Sequence, residues 1–459
     1  MDLSKIATPS VAVQAMRKNW EMIDALMGGT KAMRAAGRKF LPQFPKEQDE
    51  KYQARLAVST LYPCFSETIA QMTGRVFSRE IDTAAVDDRL HPFLMDIDNQ
   101  GGRLSVVANK WFSDALTHGV SYMLVDYPTT SENATLADLK EDMHPYFVFI
   151  PCKNVLGFRS EIINGVQTLT NFRYIEDLTY IDDDGFTEKA YQQVTIWEKG
   201  DFGVFVRRYR NSPNNTQFSE ISNIKVSIDA IPIVAYQTQS DGFFKGVPPL
   251  SELAYLNIKH WQSQSDQDNI LHTARVPLLY ITTPTGELPE KSEQTVGSVL
   301  TILPDGSRMA YTEHSGAAIQ AGQQALIELE NQMKASGAKM LIKTAVALTD
   351  SQARDESAKE RSRLSMLAAE FADAIGECLD FMAKWLGFDD GGNVTIIGNI
   401  DDISDPANSV DTLLQLYATG IVSRETVFNE AKRRNILSDT VDYDKETEKI
   451  ALDNGITTI

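Results

Sequence analysis

Few stretches of this chain pair residue types and spacing in a way that could do chemistry. In DIDNQGGRLSVV, Asp96, Asp98 and Gly101 fall on calcium-loop positions, which would give a hard cation oxygen ligands along a tight turn. Gln100 stands at the fifth position, however, and Val107 at the twelfth, where a bidentate Glu is required, so the stretch reads as a plain turn before a helix. Asp182, Asp183 and Asp184 could also hold a cation, but DDDG between two β-rich runs is ordinary hairpin-turn chemistry. No phosphate-binding GxxxxGK[ST] loop, HExxH or GxSxG occurs, and GGTKAMRAAGRK only places Gly and Lys near each other. The six histidines are scattered singly. Cys64, Cys152 and Cys378 lie far apart without a CxxC pair, so they read as buried thiols in a reducing compartment, with neither a disulfide framework nor a zinc site suggested. No catalytic constellation, cofactor site or metal site is expected.

The elements that must carry whatever function remains are mostly helical at both ends, with a β-rich middle. SVAVQAMRKNWEMIDALMGG reads as a helix stopped by Gly28 and Gly29. DEKYQARLAVSTLYPCFSETIAQMTGRVFSR reads as one long helix kinked at Pro63, with Leu56, Leu61, Phe65, Ile69 and Met72 near one face. A further helix from Ser105 to His118 is handed by Gly119 to the strand VSYMLVDYP, which implies an α/β layer. From Tyr146 to Gln237, short alternating runs separated by NG, DDDG and KGD predict an antiparallel, barrel-like unit. After Pro249 comes a helix whose middle, QSQSDQDN from Gln262 to Asn269, has no apolar face. A Pro/Gly-rich strand-and-loop insert follows. Beyond it, Ala317 to Lys334 sets Ile319, Leu326, Leu329 and Met333 on a narrow seam meant for another helix. A helix from Asp355 to Leu386 opens with the polar DESAKERSR and continues as a stripe of Leu364, Leu367, Phe371, Ile375, Leu379, Met382 and Leu386.

Composition narrows the function classes. The chain has 459 residues, 42% of them apolar, enough for two or three domains. With 63 acidic against 44 basic residues the net charge is −19, so a groove gripping DNA through many phosphates is not expected. No signal-peptide run stands at the N-terminus and no window approaches the roughly 18 apolar residues of a membrane span, so a protein without membrane attachment is expected.

Taken in order, KAMRAAGRKFLP at Lys31–Pro42, HGVSYMLVDYP, the PLSELAYLNIKHWQS helix and GIVSRETVFNEAKRRNIL form a set that resembles bacteriophage portal (head-to-tail connector) proteins. The resemblance is narrower to a portal-like family long catalogued as a domain of unknown function, and it spans most of the chain. It implies an α+β portal fold with a mixed helical and β-rich wing, a helical stem, a small α/β clip and a helical crown. On this sequence it implies a wing over 1–246, β-rich over 145–240, and stem helices over 247–275 and 317–338. The clip would be 276–316, the tunnel loop 339–355, a long wing helix with a following strand 356–400, and the crown 401–459.

The resemblance also implies roles for residues and partners. Gln262, Gln264, Ser265 and Asp268 would face the channel of a ring, where neighbours and a wet lumen replace the usual apolar face; the plain alternative is a solvated surface helix or a non-helical stretch. Lys339, Lys343, Thr344 and Thr349 would belong to the tunnel loop, although LIKTAVAL can also be read as the last turns of the preceding helix. Ile319, Leu326, Leu329 and Met333 would form an inter-subunit seam, and Glu287, Glu290 and Lys291 would face the packaging motor. About 26 stem residues would give roughly 39 Å, a little over one turn of duplex. The implied protein is a non-enzymatic dodecameric ring at one capsid vertex of a virion, assembled in the host cytoplasm. It would conduct double-stranded DNA during packaging and ejection, and would contact the terminase large subunit, the major capsid protein and a head-tail adaptor. Two other classes stay open: a cytosolic enzyme with a site assembled from scattered residues, and a ring-forming structural adaptor without DNA passage.

Overall fold

The computed structural model describes residues 3–128, 143–182, 184–212, 215–274, 278–282, 284, 306, 308–312, 316–339, 362–398, 414–415, 417–433, 437 and 441–453. The architecture is mixed α/β, with helices packed on one side of a small sheet and a larger sheet on the other. Five helices lead the chain: α1 (Val11–Met27), α2 (Gly29–Ala36), α3 (Asp49–Val58), α4 (Cys64–Val76) and α5 (Leu104–His118). Strand β1 (Val120–Asp126) follows, between β2 (Tyr146–Ile150) and β8 (Ile233–Gln237), antiparallel to both.

β1 is the wall between two cores. Successive side chains leave a strand on opposite faces. Met123 and Val125 accordingly join the helical core with Trp111, Phe112 and Phe371, while Val120, Tyr122 and Leu124 join a second core with Phe172, Trp197 and Val206. A strand buried on both faces needs a continuous apolar run rather than alternation, which is why VSYMLV carries so few polar side chains. The second core is roofed by a five-stranded antiparallel meander, β3 (Val155–Ile163), β4 (Val166–Ile181), β5 (Glu188–Gly200), β6 (Gly203–Ser212) and β7 (Asn215–Lys225), in sequential order. Its far face is covered by the N-terminal segment: Ile6 packs with Val194, Ile196 and Tyr209, and Arg173 donates to the carbonyls of Ile6 and Thr8 at 2.9 Å each.

Two expectations change here. The long helix expected across Pro63 is two helices, α3 and α4, because Ser59 turns to extended backbone and the chain re-enters a helix only at Cys64. The β-rich region is two sheets rather than one unit: YFVFIP and IVAYQ flank β1, and the meander's end strands β3 and β7 are not neighbours, so it is open and not a barrel. The turn at Asp96 spends its carboxylates on backbone amides, Oδ1 of Asp96 accepting from Gly101 and Oδ1 of Asp98 from Gln100 and Gly102. At the other turn Asp184 accepts from the amides of Phe186 and Thr187; Asp183 lies outside the described residues.

The second half supplies α6 (Ser251–Ala274), an antiparallel pair β9 (Leu278–Thr282) and β10 (Arg308–Thr312), and α7 (Ala317–Ala338). Helix α8 (Arg363–Leu386) is followed by α9 (Arg424–Arg433) and α10 (Tyr443–Asp453). α8 starts where the buried Ser362 hydroxyl accepts from the Ser365 amide. Its stripe from Leu364 to Met382 is buried, but Leu386 is 37% exposed, since the helix has run past the core before Gly387 ends it. The polar start expected from Asp355 lies outside the described residues up to Arg361.

Gly119 joins α5 to β1 in a left-handed conformation, φ +92°, and a Cβ there would overlap the Val247 carbonyl. Gly119→Ala is therefore expected to destabilise the chain by well over about 1 kcal/mol, since both backbone strain and a fixed backbone neighbour oppose it. Urea denaturation measures this, and a change within experimental error would mean that the α5–β1 junction relaxes freely.

Candidate functional site

The candidate functional element is the α6–α7 pair, and its geometry begins with the polar groups along α6. The two helices run antiparallel: Gln267 Nε2 donates to the Ile319 carbonyl at 2.9 Å, His260 Nε2 lies 3.6 Å from Glu330 Oε1, and Gly337 packs near Leu253. Leu253, Ala254, Asn257, His260, Trp261, Ser265 and Gln267 are all buried. The helix therefore has an inward face, but beyond Trp261 that face is built from polar side chains with partners elsewhere in the same chain.

Each of these groups meets a need that the chain creates far away in sequence. α4 opens after Pro63, which has no side-chain acceptor for the free amides of a first helical turn. Asn257 supplies one: its Oδ1 accepts from the Phe65 amide and its Nδ2 donates to the Tyr62 carbonyl, each at 2.9 Å. One turn further, Gln262 donates to the Phe40 carbonyl at 3.0 Å. Ser265 Oγ lies 2.9 Å from Ser59 Oγ, at the break between α3 and α4, and 3.3 Å from Arg55 Nη1.

Arg55 is the charge at the centre of this contact. Its side chain is 4% exposed and forms a two-pronged pair with Glu47, Nε to Oε1 at 3.0 Å and Nη2 to Oε2 at 2.9 Å. Nη2 also donates to the Pro42 carbonyl at 2.9 Å, and the guanidinium lies over the Phe44 ring at 4.0 Å. The Arg55 hydrogen bonds hold the Glu47 carboxyl below the ordinary carboxylate range, while burial pushes Asp266, 3.9 Å from Arg55 Nη1, upward. Burial lowers His260, whose ring nitrogens make no hydrogen bond among the described residues; Glu330 opposes that shift.

These contacts locate the residues expected to be functional. Ser265 is buried against Arg55 and Ser59, so it faces the interior of its own chain and not a channel; Gln262 is likewise tied to Phe40. Gln264 and Asp268 are partly exposed and hydrogen-bonded to each other at 2.8 Å. Leu326, Leu329 and Met333 are buried within the chain, because α6 and the first helices already fill the place given to a second subunit; Ile319 is half-buried. Lys339 is exposed at the end of α7, beside a cleft of about 260 Å³ between α4 and α7 lined by Tyr62, Glu67, Arg75 and Lys334 among others. Lys343, Thr344, Thr349, Glu287, Glu290 and Lys291 lie outside the described residues. Arg55, Ser59 and Asn257 were not singled out from sequence. The one available signal was the spacing of Arg55, three residues after Tyr52 and next to Leu56, on the face that α3 buries.

A family model described as a domain of unknown function (DUF4055) matches residues 249–386. That span runs from the start of α6 to the end of α8. No curated protein matches the chain. Among solved structures, a chain of the virion of a native gene transfer agent (GTA) particle is 11% identical, with 87% of this chain and 97% of that one covered and a TM-score of 0.42. A chain from the neck of an empty GTA particle computed with C6 symmetry is 11% identical, covering 85% and 96%, at a TM-score of 0.44. One from the neck of a native GTA particle computed with C12 symmetry is 12% identical, covering 88% and 99%, at 0.40.

Two outcomes are expected from the α6 contacts. Arg55→Met leaves Glu47 buried without its partner and should cost roughly 3–5 kcal/mol in urea denaturation, with part recovered in the double variant carrying Glu47→Gln. A loss below about 1 kcal/mol would instead mark the pair as a surface contact. Because His260 titrates below 6.5 when folded, the unfolded chain binds more protons just under that pH. Stability should therefore fall as pH drops through 6.5 and level off once the folded imidazole also protonates. His260→Phe should remove that component of the pH profile measured by thermal unfolding.

Proposed function

We propose that the protein is the subunit of a portal-like ring, with the α6–α7 pair as its stem, and that double-stranded DNA passes through the ring. The observation that carries this reading is the pair itself. Two helices of 24 and 22 residues run antiparallel and are joined through a segment that includes the short β9–β10 pair, in the order the sequence resemblance implies. The family match covers the same pair and continues through α8.

The outer surface of the pair also suits a neighbouring subunit. α7 buries only Leu326, Leu329, Met333 and Gly337, and leaves Ala318, Ala321, Ala325, Ile327, Gln332 and Ala335 exposed. On α6, Tyr255 and Ile270 are exposed, at 61% and 39%. With the Leu326–Met333 stripe occupied inside the chain, this outward face is where an inter-subunit contact would form. In this function Lys339 begins the loop that touches the DNA backbone. The insert carrying Glu287, Glu290 and Lys291 docks the packaging motor, and the C-terminal helices form the crown. A net charge of −19 lets the duplex slide, since few Lys or Arg contacts displace its counterions.

The hydrodynamic mass of the purified chain tests this at micromolar concentration and moderate salt. A closed ring near the mass of a dodecamer is expected, and Ile327→Glu should shift the population to smaller species without unfolding the chain. A mass below a hexamer would overturn the ring. Replacing Lys339 and Lys343 by Glu then separates a conduit from an adaptor without DNA passage: packaging or DNA retention should change while ring mass does not.

A further inference from the structure

Away from the helical pair, where α5 ends against β1, four side chains converge that the proposed conduit does not use. Asp114 and His118 sit one turn apart on α5, so both point to the same side. His118 Nδ1 lies 2.8 Å from Asp114 Oδ1 and 3.2 Å from the Asp114 carbonyl oxygen. Cys152, fully buried in the short helical turn after β2, places its Sγ 3.9 Å from Asp114 Oδ1. One ligand atom from each of Asp114, His118 and Cys152 lies within 4.8 Å of the other two. On the opposite edge of the imidazole, Nε2 is 3.1 Å from Oδ1 of Asp24, a carboxylate from α1.

We propose that Asp114 Oδ1, His118 Nδ1 and Cys152 Sγ form a binding site for one zinc-class divalent cation, with Asp24 as the carboxylate that orients the histidine. The donor set suits a borderline-soft ion, and the ligand separations are close to what such an ion needs. Around tetrahedral zinc, N, O and S ligands stand about 3.3–3.6 Å apart, so the Asp114–His118 pair opens by about half an ångström and Cys152 moves slightly inward. The contact from Nε2 to Asp24 is the outer-shell arrangement that fixes which ring nitrogen faces the metal. Ser121 Oγ and the Cys152 amide, at 2.7 and 3.1 Å from Asp114 Oδ2, hold the carboxylate so that Oδ1 remains directed at the site. A water fills the fourth position.

A metal binds the neutral imidazole nitrogen and the thiolate, so the site should release protons as it loads and weaken as pH falls. Sequence spacing could not reveal this set, because Cys152 lies 38 positions from Asp114 and reaches it only through the β1–β2 pairing.

Cobalt and zinc are the probes. The full-length chain, freed of metal by chelation, is titrated with Co²⁺, and a parallel sample is refolded from denaturant with the metal present because the site is enclosed. One Co²⁺ per chain is expected, with a thiolate-to-cobalt charge-transfer band in the near ultraviolet. The band should vanish in Cys152→Ser and persist in Cys64→Ser and Cys378→Ser. Asp24→Asn alters a half-exposed side chain and keeps all three ligands, so it should retain the band while weakening affinity by about 10–100-fold. Zinc should displace cobalt and raise the thermal midpoint. If neither sample shows the band, or if Cys152→Ser binds metal as tightly as the native chain, the cluster is a buried histidine held between two carboxylates and the site does not exist.

Discussion

The two-pronged pair of Arg55 with Glu47 is the contact on which the helical half of the molecule depends. A guanidinium this buried must have its donors answered, and four groups answer them: Glu47, the Pro42 carbonyl, the Phe44 ring and Ser265 on α6. Three of these belong to the loop before α3 and the fourth to a helix 210 positions away. The charge thus fixes the loop, the α3–α4 break and the position of α6 together. Breaking such a pair costs more than forming it gains, so it specifies an arrangement more than it adds stability.

Along α6 the same principle repeats with neutral groups. Asn257 caps a helix that cannot cap itself, Ser265 meets Ser59 where α3 has stopped, and Gln267 ties the start of α7. A helix with an apolar stripe can rotate or slide by small amounts at little cost, because the hydrophobic effect has no direction. Hydrogen bonds to buried carbonyls and amides do have direction, and leaving one unmade costs the full desolvation of the group. The polar middle of α6 therefore gives it one register against the N-terminal helices and against α7.

β1 plays the corresponding part between the layers. It is buried on both faces, with alternate residues in two different cores, so the helical layer and the meander are coupled through one strand. Trp385 Nε1 and Tyr236 Oη add directional contacts, to the Val125 and Leu367 carbonyls, that bind α8 to this sheet. The Asp114–His118–Cys152 cluster lies at the start of that same strand, at the junction of α1, α5 and the β2 exit.

The amino-acid sequence by itself determined the elements with strong local signals. Gly119 after α5, the NG turn before β4, the α8 stripe and the one-turn spacing of Leu326, Leu329 and Met333 are local patterns, and 3.6- and 2-residue periods report which residues are buried. What those residues are buried against is not local. The seam of α7 looked the same whether its partner was a second subunit or α6 of the same chain, because an apolar stripe carries no address. QSQSDQDN looked like a wet helix for a related reason: composition cannot distinguish a polar side chain that meets water from one that meets a buried Arg55 or the Ile319 carbonyl. Only the tertiary structure decided that, since the partners of Asn257, Ser265 and His118 come from chain segments 94 to 210 positions away and directional bonds between them exist only once the layers have assembled.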